Sequence, residues 1–103
     1  MKNECKWDTY QKALDSWGLP FQIIMLGEEQ AELFKVVSKL GRGKDDVTKE
    51  NLAEEIADCE IMMEQMQKAF QIPRFVIEEW KQEKLKKLEK LVKFRSKLKQ
   101  EKT

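Results

Sequence analysis

Two pairs of carboxylates stand inside stretches of helical apolar periodicity. The first is Glu29-Gln-Ala-Glu32 and the second Glu55-Ile-Ala-Asp58, with 22 residues between them. Carboxylates three apart on a helix point the same way. Two such pairs on neighbouring helices would set four acidic oxygen donors around one point, which is unfavourable unless a hard cation occupies it. The chain has no histidine. That excludes Ser-His-Asp catalysis, imidazole metal ligation and the Glu-x-x-His di-iron signature, so any metal would be held by oxygen. Cys5 and Cys59 show no metal or redox spacing, and Cys59 reads as a small buried apolar residue.

Four helices must position these groups. Trp7, Tyr10, Leu14 and Trp17 are spaced 3-4-3, the mark of a short amphipathic helix that Gly18-Leu-Pro20 stops. A second helix is predicted from about Phe21 to Leu40, followed by the polar loop Gly41-Arg-Gly43-Lys-Asp-Asp46. Thr48 can cap a third, with Val47 and Leu52 as a hydrophobic staple, running to about Gln71. Pro73 suits the first turn of a fourth, whose lysine-rich end, about 95–103, is expected to fray. Short connections point to one all-α domain over 1–103, an antiparallel four-helix bundle. The fourth helix is long for so small a core, and packing on a second copy would explain it.

Helical phasing at about 100° per residue ranks the acids. On the third helix the apolar arc is Leu52, Ile56, Cys59, Met62, Met63, Met66 and Phe70, with Glu55 inside it, Asp58 at its edge and Gln65 two turns further on. An ionised carboxylate facing a core needs compensation. On the second helix the arc is Ile23, Leu26, Leu33, Phe34, Val37 and Leu40; Glu29 borders it and Glu32 lies further out. On the fourth, Lys84 interrupts the face of Ile77, Trp80, Leu88 and Leu91, and Lys87 flanks it. Acid on one wall and base on another suit a polyphosphate held by divalent cations. Trp17 could be core, interface or a platform for a nucleobase. Arg42 and Lys44 could reach a phosphate from their loop, although the Gly-Lys-[Ser/Thr] signature of a P-loop is absent.

The bulk composition agrees with this class. Charged residues are 38% of the 103-residue chain and apolar residues 41%. No apolar run reaches membrane-spanning length, and Met1-Lys-Asn-Glu-Cys5 lacks a signal peptide's hydrophobic stretch; the expectation is a cytoplasmic protein with no membrane partner. The net charge of +1 hides an asymmetry: residues 1–80 carry 10 basic and 16 acidic side chains, residues 81–103 carry 10 and 3. Two rival readings follow. One is a non-catalytic helical interaction protein with Glu55 and Lys84 as a buried ion pair. The other is a nucleic-acid-binding module using the basic last helix, against which the near-zero net charge argues.

These motifs resemble the MazG-like all-α nucleoside triphosphate pyrophosphohydrolases, in particular the small phage- and prophage-type members. That family is marked by Glu-x-x-Glu, a spacer, then Glu-x-x-Asp. The similarity extends from Trp17-Gly18 and Gln22 through Glu28–Leu33, Lys39–Lys44, Asn51–Asp58 and Glu60–Met66 to Lys84–Leu88, covering roughly residues 10–90. The resemblance implies a MazG-type bundle completed as a homodimer or homotetramer. It implies Mg²⁺-dependent cleavage of an NTP or dNTP to the monophosphate and pyrophosphate, with Mn²⁺ a possible substitute. Glu29, Glu32, Glu55 and Asp58 carry over as ligands and catalytic carboxylates. Lys84 and Lys87 match the family's phosphate-binding Lys-apolar-x-Arg stretch, with Lys in place of Arg at the second position, which loses bidentate geometry. On the same reading Lys39 and Arg42 are further phosphate contacts, and Trp17, Gln22 and Gln65 face the nucleoside.

Overall fold

The computed structural model describes residues 5–101, which form four α-helices and no strand. They are α1 (Lys6–Trp17), α2 (Leu19–Gly41), α3 (Lys49–Ala69) and α4 (Arg74–Glu101). The all-α expectation holds among these residues. The chain divides into two compact units, Met1–Gln71 with α1–α3 and Ile72–Thr103 with α4.

Local chemistry fixes where each helix begins and ends. Gly18, at φ +83° and ψ 154°, occupies a backbone region that favours glycine. Its N–H closes α1 on the Leu14 carbonyl at 2.8 Å while its own carbonyl accepts from Gln22 N at 3.2 Å, so one residue ends α1 and starts α2. Pro20 falls in the first turn of α2, where a missing N–H costs nothing. Thr48 and Asn51 form a capping box at α3: Asn51 N–H donates to Thr48 Oγ1 at 3.1 Å, and Thr48 N–H to Asn51 Oδ1 at 2.9 Å. Val47 and Leu52, the expected staple pair, are both half-buried.

The α2–α3 pair is an antiparallel helical hairpin joined by residues 42–48 and makes the principal packing of its unit. The connection is drawn tight by bonds from Gly43 N and Lys44 N to the Leu40 and Lys39 carbonyls, both 3.0 Å. α1 lies mainly against α3. The Tyr10 hydroxyl donates to Glu64 Oε1 at 2.7 Å and Lys6 Nζ to Glu64 Oε2 at 2.9 Å, while Trp7 meets Tyr10 edge-on. α4 is one uninterrupted helix through Glu101, helical over most of the stretch expected to fray; 102–103 lie outside the described residues. Pro73 stands just before its first turn, and surface pairs such as Arg74–Glu78 (2.7 Å) and Lys93–Glu89 (3.2 Å) run along it.

The faces that pack differ from those the periodicity predicts. On α2 the packed side runs through Gln22, Leu26, Glu29, Leu33, Val36 and Leu40, whereas Ile23, Phe34 and Val37 are exposed. On α3, Cys59, Met62 and Gln65 are buried, whereas Ile56, Met63 and Phe70 are exposed. Both helices carry apolar residues on two sides. The one that packs is set by which neighbour arrives, and that information lies outside the helix's own sequence. No helix among the described residues is long and apolar enough to cross a membrane.

Candidate metal centre

The packed seam between α2 and α3 contains acids. Glu29, Glu55 and Asp58 each turn one carboxylate oxygen toward a common point, and those oxygens all lie within 4.8 Å of one another. The rotation of the packed face accounts for this: Glu29, which the periodicity put at the border of its arc, is on the packed side of α2, opposite Glu55 and Asp58 of α3. Glu32 is exposed and stands outside this tight set. A step of three residues turns the helix by about 300°, which carries Glu32 some 60° away from Glu29 toward solvent.

The triad is electrostatically unfavourable as it stands. Burial, then the Asp58 and Glu55 charges, then a hydrogen bond to Asp58 push the Glu29 carboxyl above its ordinary value. Burial, then the Asp58 and Glu32 charges, push Glu55 up as well. Glu55 Oε2 is buried with no hydrogen-bond partner among the described residues.

A thiol fixes the two helices at this level. Cys59 is buried, and its Sγ donates to the Glu29 backbone carbonyl at 3.2 Å. Burial first, and then the charges of Glu29, Glu55 and Asp58, push this thiol up, so it stays protonated and able to donate. The sequence reading assigned Cys59 only packing. Its place directly after Asp58 was the available signal.

Two turns along the seam are buried amides. Gln22 precedes Glu29 by seven residues and Gln65 follows Asp58 by seven; on antiparallel helices these offsets lead to the same level. Gln22 is 3% and Gln65 8% exposed. Gln65 Nε2 donates to Met62 Sδ at 3.5 Å, and its buried Oε1 has no partner among the described residues. Trp17, at the end of α1, is 63% exposed and lies tilted against Phe21 with ring centroids 6.4 Å apart.

The remaining predicted residues are placed as follows. Lys39 pairs with Asp46 at 3.0 Å, and Arg42 Nε donates to the Ser38 carbonyl at 3.2 Å; both tie down the end of α2. Lys84 and Lys87 are exposed on α4. Lys84 Nζ lies 5.8 Å from the centroid of the Trp80 ring, within cation–π range.

Comparison with known proteins returns no match: no family model, no curated protein and no solved structure.

Proposed function

We propose that this chain is a divalent-cation-dependent nucleoside triphosphate pyrophosphohydrolase of the MazG-like type. One observation carries the reading. Three carboxylates converge in a helix seam, and one of their oxygens, Glu55 Oε2, is buried without a partner among the described residues. An unpaired buried charge is among the least favourable groups a fold can hold. The donor set is entirely hard oxygen, which fits Mg²⁺ or Mn²⁺ and not the softer metals. Glu29, Glu55 and Asp58 would hold the cation, which when bound neutralises phosphate charge and makes water more acidic.

The chain's own groups have the following roles in this reading. Glu32, exposed one turn beyond Glu29, accepts a proton from the attacking water. The water oxygen bonds to the α-phosphorus. The bond from that phosphorus to its bridging oxygen breaks, and pyrophosphate leaves with the electron pair. The family resemblance, and no geometry between the two units, assigns Lys84 and Lys87 to the leaving pyrophosphate. Gln22 and Gln65 offer amide donors and acceptors to the polar edge of a base, and Trp17 offers a face on which a base can stack. The active assembly is a homodimer or homotetramer.

Purified protein incubated with a panel of NTPs and dNTPs and Mg²⁺ should release pyrophosphate and not phosphate. Glu55→Gln, which keeps shape and removes the charge, should lower the rate at least about a hundredfold with the circular dichroism spectrum unchanged. Full activity in Glu55→Gln would sink the proposal.

A further inference from the structure

We propose that the C-terminal half of α4 seats the protein on an anionic lipid surface. Residues 84–99 hold eight lysines and arginines against one acid, Glu89, a net +7. When α4 is stepped at about 100° per residue, the six apolar side chains of this stretch fall within one half of the helix circumference. They are Leu85, Leu88, Leu91, Val92, Phe94 and Leu98. All six are exposed, Phe94 at 61% and Leu91 at 64%. Apolar surface gathered in this way marks an interaction site. On a basic amphipathic helix it fits a surface that is negative outside and apolar within.

Most of these cations are not neutralised within the fold. Lys86 meets Glu83 at 3.6 Å and Lys93 meets Glu89 at 3.2 Å, whereas Lys87, Lys90, Arg95, Lys97 and Lys99 make no ion pair among the described residues. Like charges along one helix repel each other unless anions gather around them. The stretch also runs past the segments that carry the family resemblance, which end near residue 90. Neither that resemblance nor the acidic triad accounts for residues 91–99.

The distribution of charge selects the occupant. Lys84, Lys87, Arg95 and Lys99 lie on the apolar half, where their stems follow the apolar surface and their charged ends rise to the headgroups. Lys86, Lys90, Lys93 and Lys97 lie on the opposite half. An acidic groove on a partner protein would engage one half only. The potential of an anionic bilayer is a field above a plane. It reaches about one Debye length, ~8 Å, comparable with a helix diameter of about 10–12 Å, so cations on both halves feel it. A nucleic acid also offers a negative field, but its phosphates give the six apolar side chains no cover. The acyl boundary of a bilayer does. The contact lies along the surface and needs no membrane-crossing helix, which the described residues lack. It revises the expectation that the chain has no membrane partner.

Co-sedimentation of the full chain with vesicles tests this. At low ionic strength the protein should pellet with phosphatidylcholine vesicles that contain phosphatidylglycerol and stay in the supernatant with phosphatidylcholine alone; added salt should weaken the binding. Changing Lys93, Arg95, Lys97 and Lys99 together to Gln should weaken it at least about a hundredfold. Leu91→Ala with Phe94→Ala leaves the charge unchanged and keeps good helix formers; it should weaken binding at least about tenfold. Circular dichroism of both variants checks that helix content is retained. A wild-type chain that ignores anionic vesicles overturns the proposal. So does undiminished binding by the Leu91→Ala, Phe94→Ala chain, because charge alone then explains it. Tighter binding of the wild type to duplex DNA than to the vesicles assigns the helix to nucleic acid and overturns it too. None of the substituted residues belongs to the proposed metal or phosphate site, and no readout requires nucleotide hydrolysis, so the outcome is separate from that of the enzymatic proposal.

Discussion

Tyr10 shows how one side chain can hold a helix in place. It is buried, and its hydroxyl donates to Glu64 Oε1 while Lys6 serves the other carboxylate oxygen. Burial, the Glu64 hydrogen bond and the Glu64 charge all favour the neutral phenol and push its pKa from 10.0 up to about 12. The unfolded chain therefore loses this proton first as the pH rises. The stabilisation is complete below pH 10 and disappears as the pH climbs through about 12. Tyr10→Phe should cost about 1–2 kcal/mol at pH 8, one part-buried hydrogen bond to a charged group. Urea denaturation of both proteins at pH 8 and pH 11.5 checks this: the difference between them should shrink at the higher pH. A constant difference would mean that the phenol contributes packing alone.

At the scale of elements, the helix boundaries follow local chemistry that the sequence displays directly. Thr48 with Asn51 three residues on is such a signal, and the resulting capping box holds α3 at its start. Thr48→Ala should therefore lower stability by about 1 kcal/mol, read as a lower urea midpoint with an unchanged slope; an unchanged midpoint would show that loop 42–48 holds the helix end unaided. Gly18 and Pro73 are legible for the same reason, since each acts within a few residues of itself. The helix faces were less legible. Ile23, Phe34 and Val37 drew the expected arc of α2 toward its outer side, because hydrophobicity reports that a residue seeks cover and not which neighbour provides it. The acidic triad could be read despite that error. The i, i+3 spacing sets two carboxylates about 60° apart around a helix; Glu55 and Asp58 straddle the seam and so stay together, whereas Glu29 reaches it and Glu32 does not. The partner of the Cys59 thiol was not legible, because it is a backbone carbonyl on another helix.

At the scale of the whole molecule, the triad couples folding to protons, and on the proposed reading to divalent cations as well. Burial and mutual repulsion raise Glu29 and Glu55 above 4.5 in the folded state. Ionising them near neutral pH therefore opposes folding, and lowering the pH toward 4.5 removes that opposition. Asp46 runs the other way, because Lys39 lowers its pKa, but it is exposed and its contribution is correspondingly small. In chelator, the wild-type melting temperature should therefore rise between pH 7.5 and pH 5 relative to that of Glu55→Gln. On the proposed reading a divalent cation would compete with protons for the same oxygens, so its effect would be largest where they are ionised. At ten times its dissociation constant Mg²⁺ should add about 1.4 kcal/mol, roughly 5–10 °C for a chain of this size, at pH 7.5. The gain should be smaller at pH 5 and smaller still in Glu55→Gln. Calorimetry of the two proteins at both pH values, with chelator and with Mg²⁺, gives all eight melting temperatures from one preparation of each. If Mg²⁺ stabilises both proteins equally, the cation binds elsewhere on the surface. The convergence of Glu29, Glu55 and Asp58 would then be a strain the fold carries without the help of a metal.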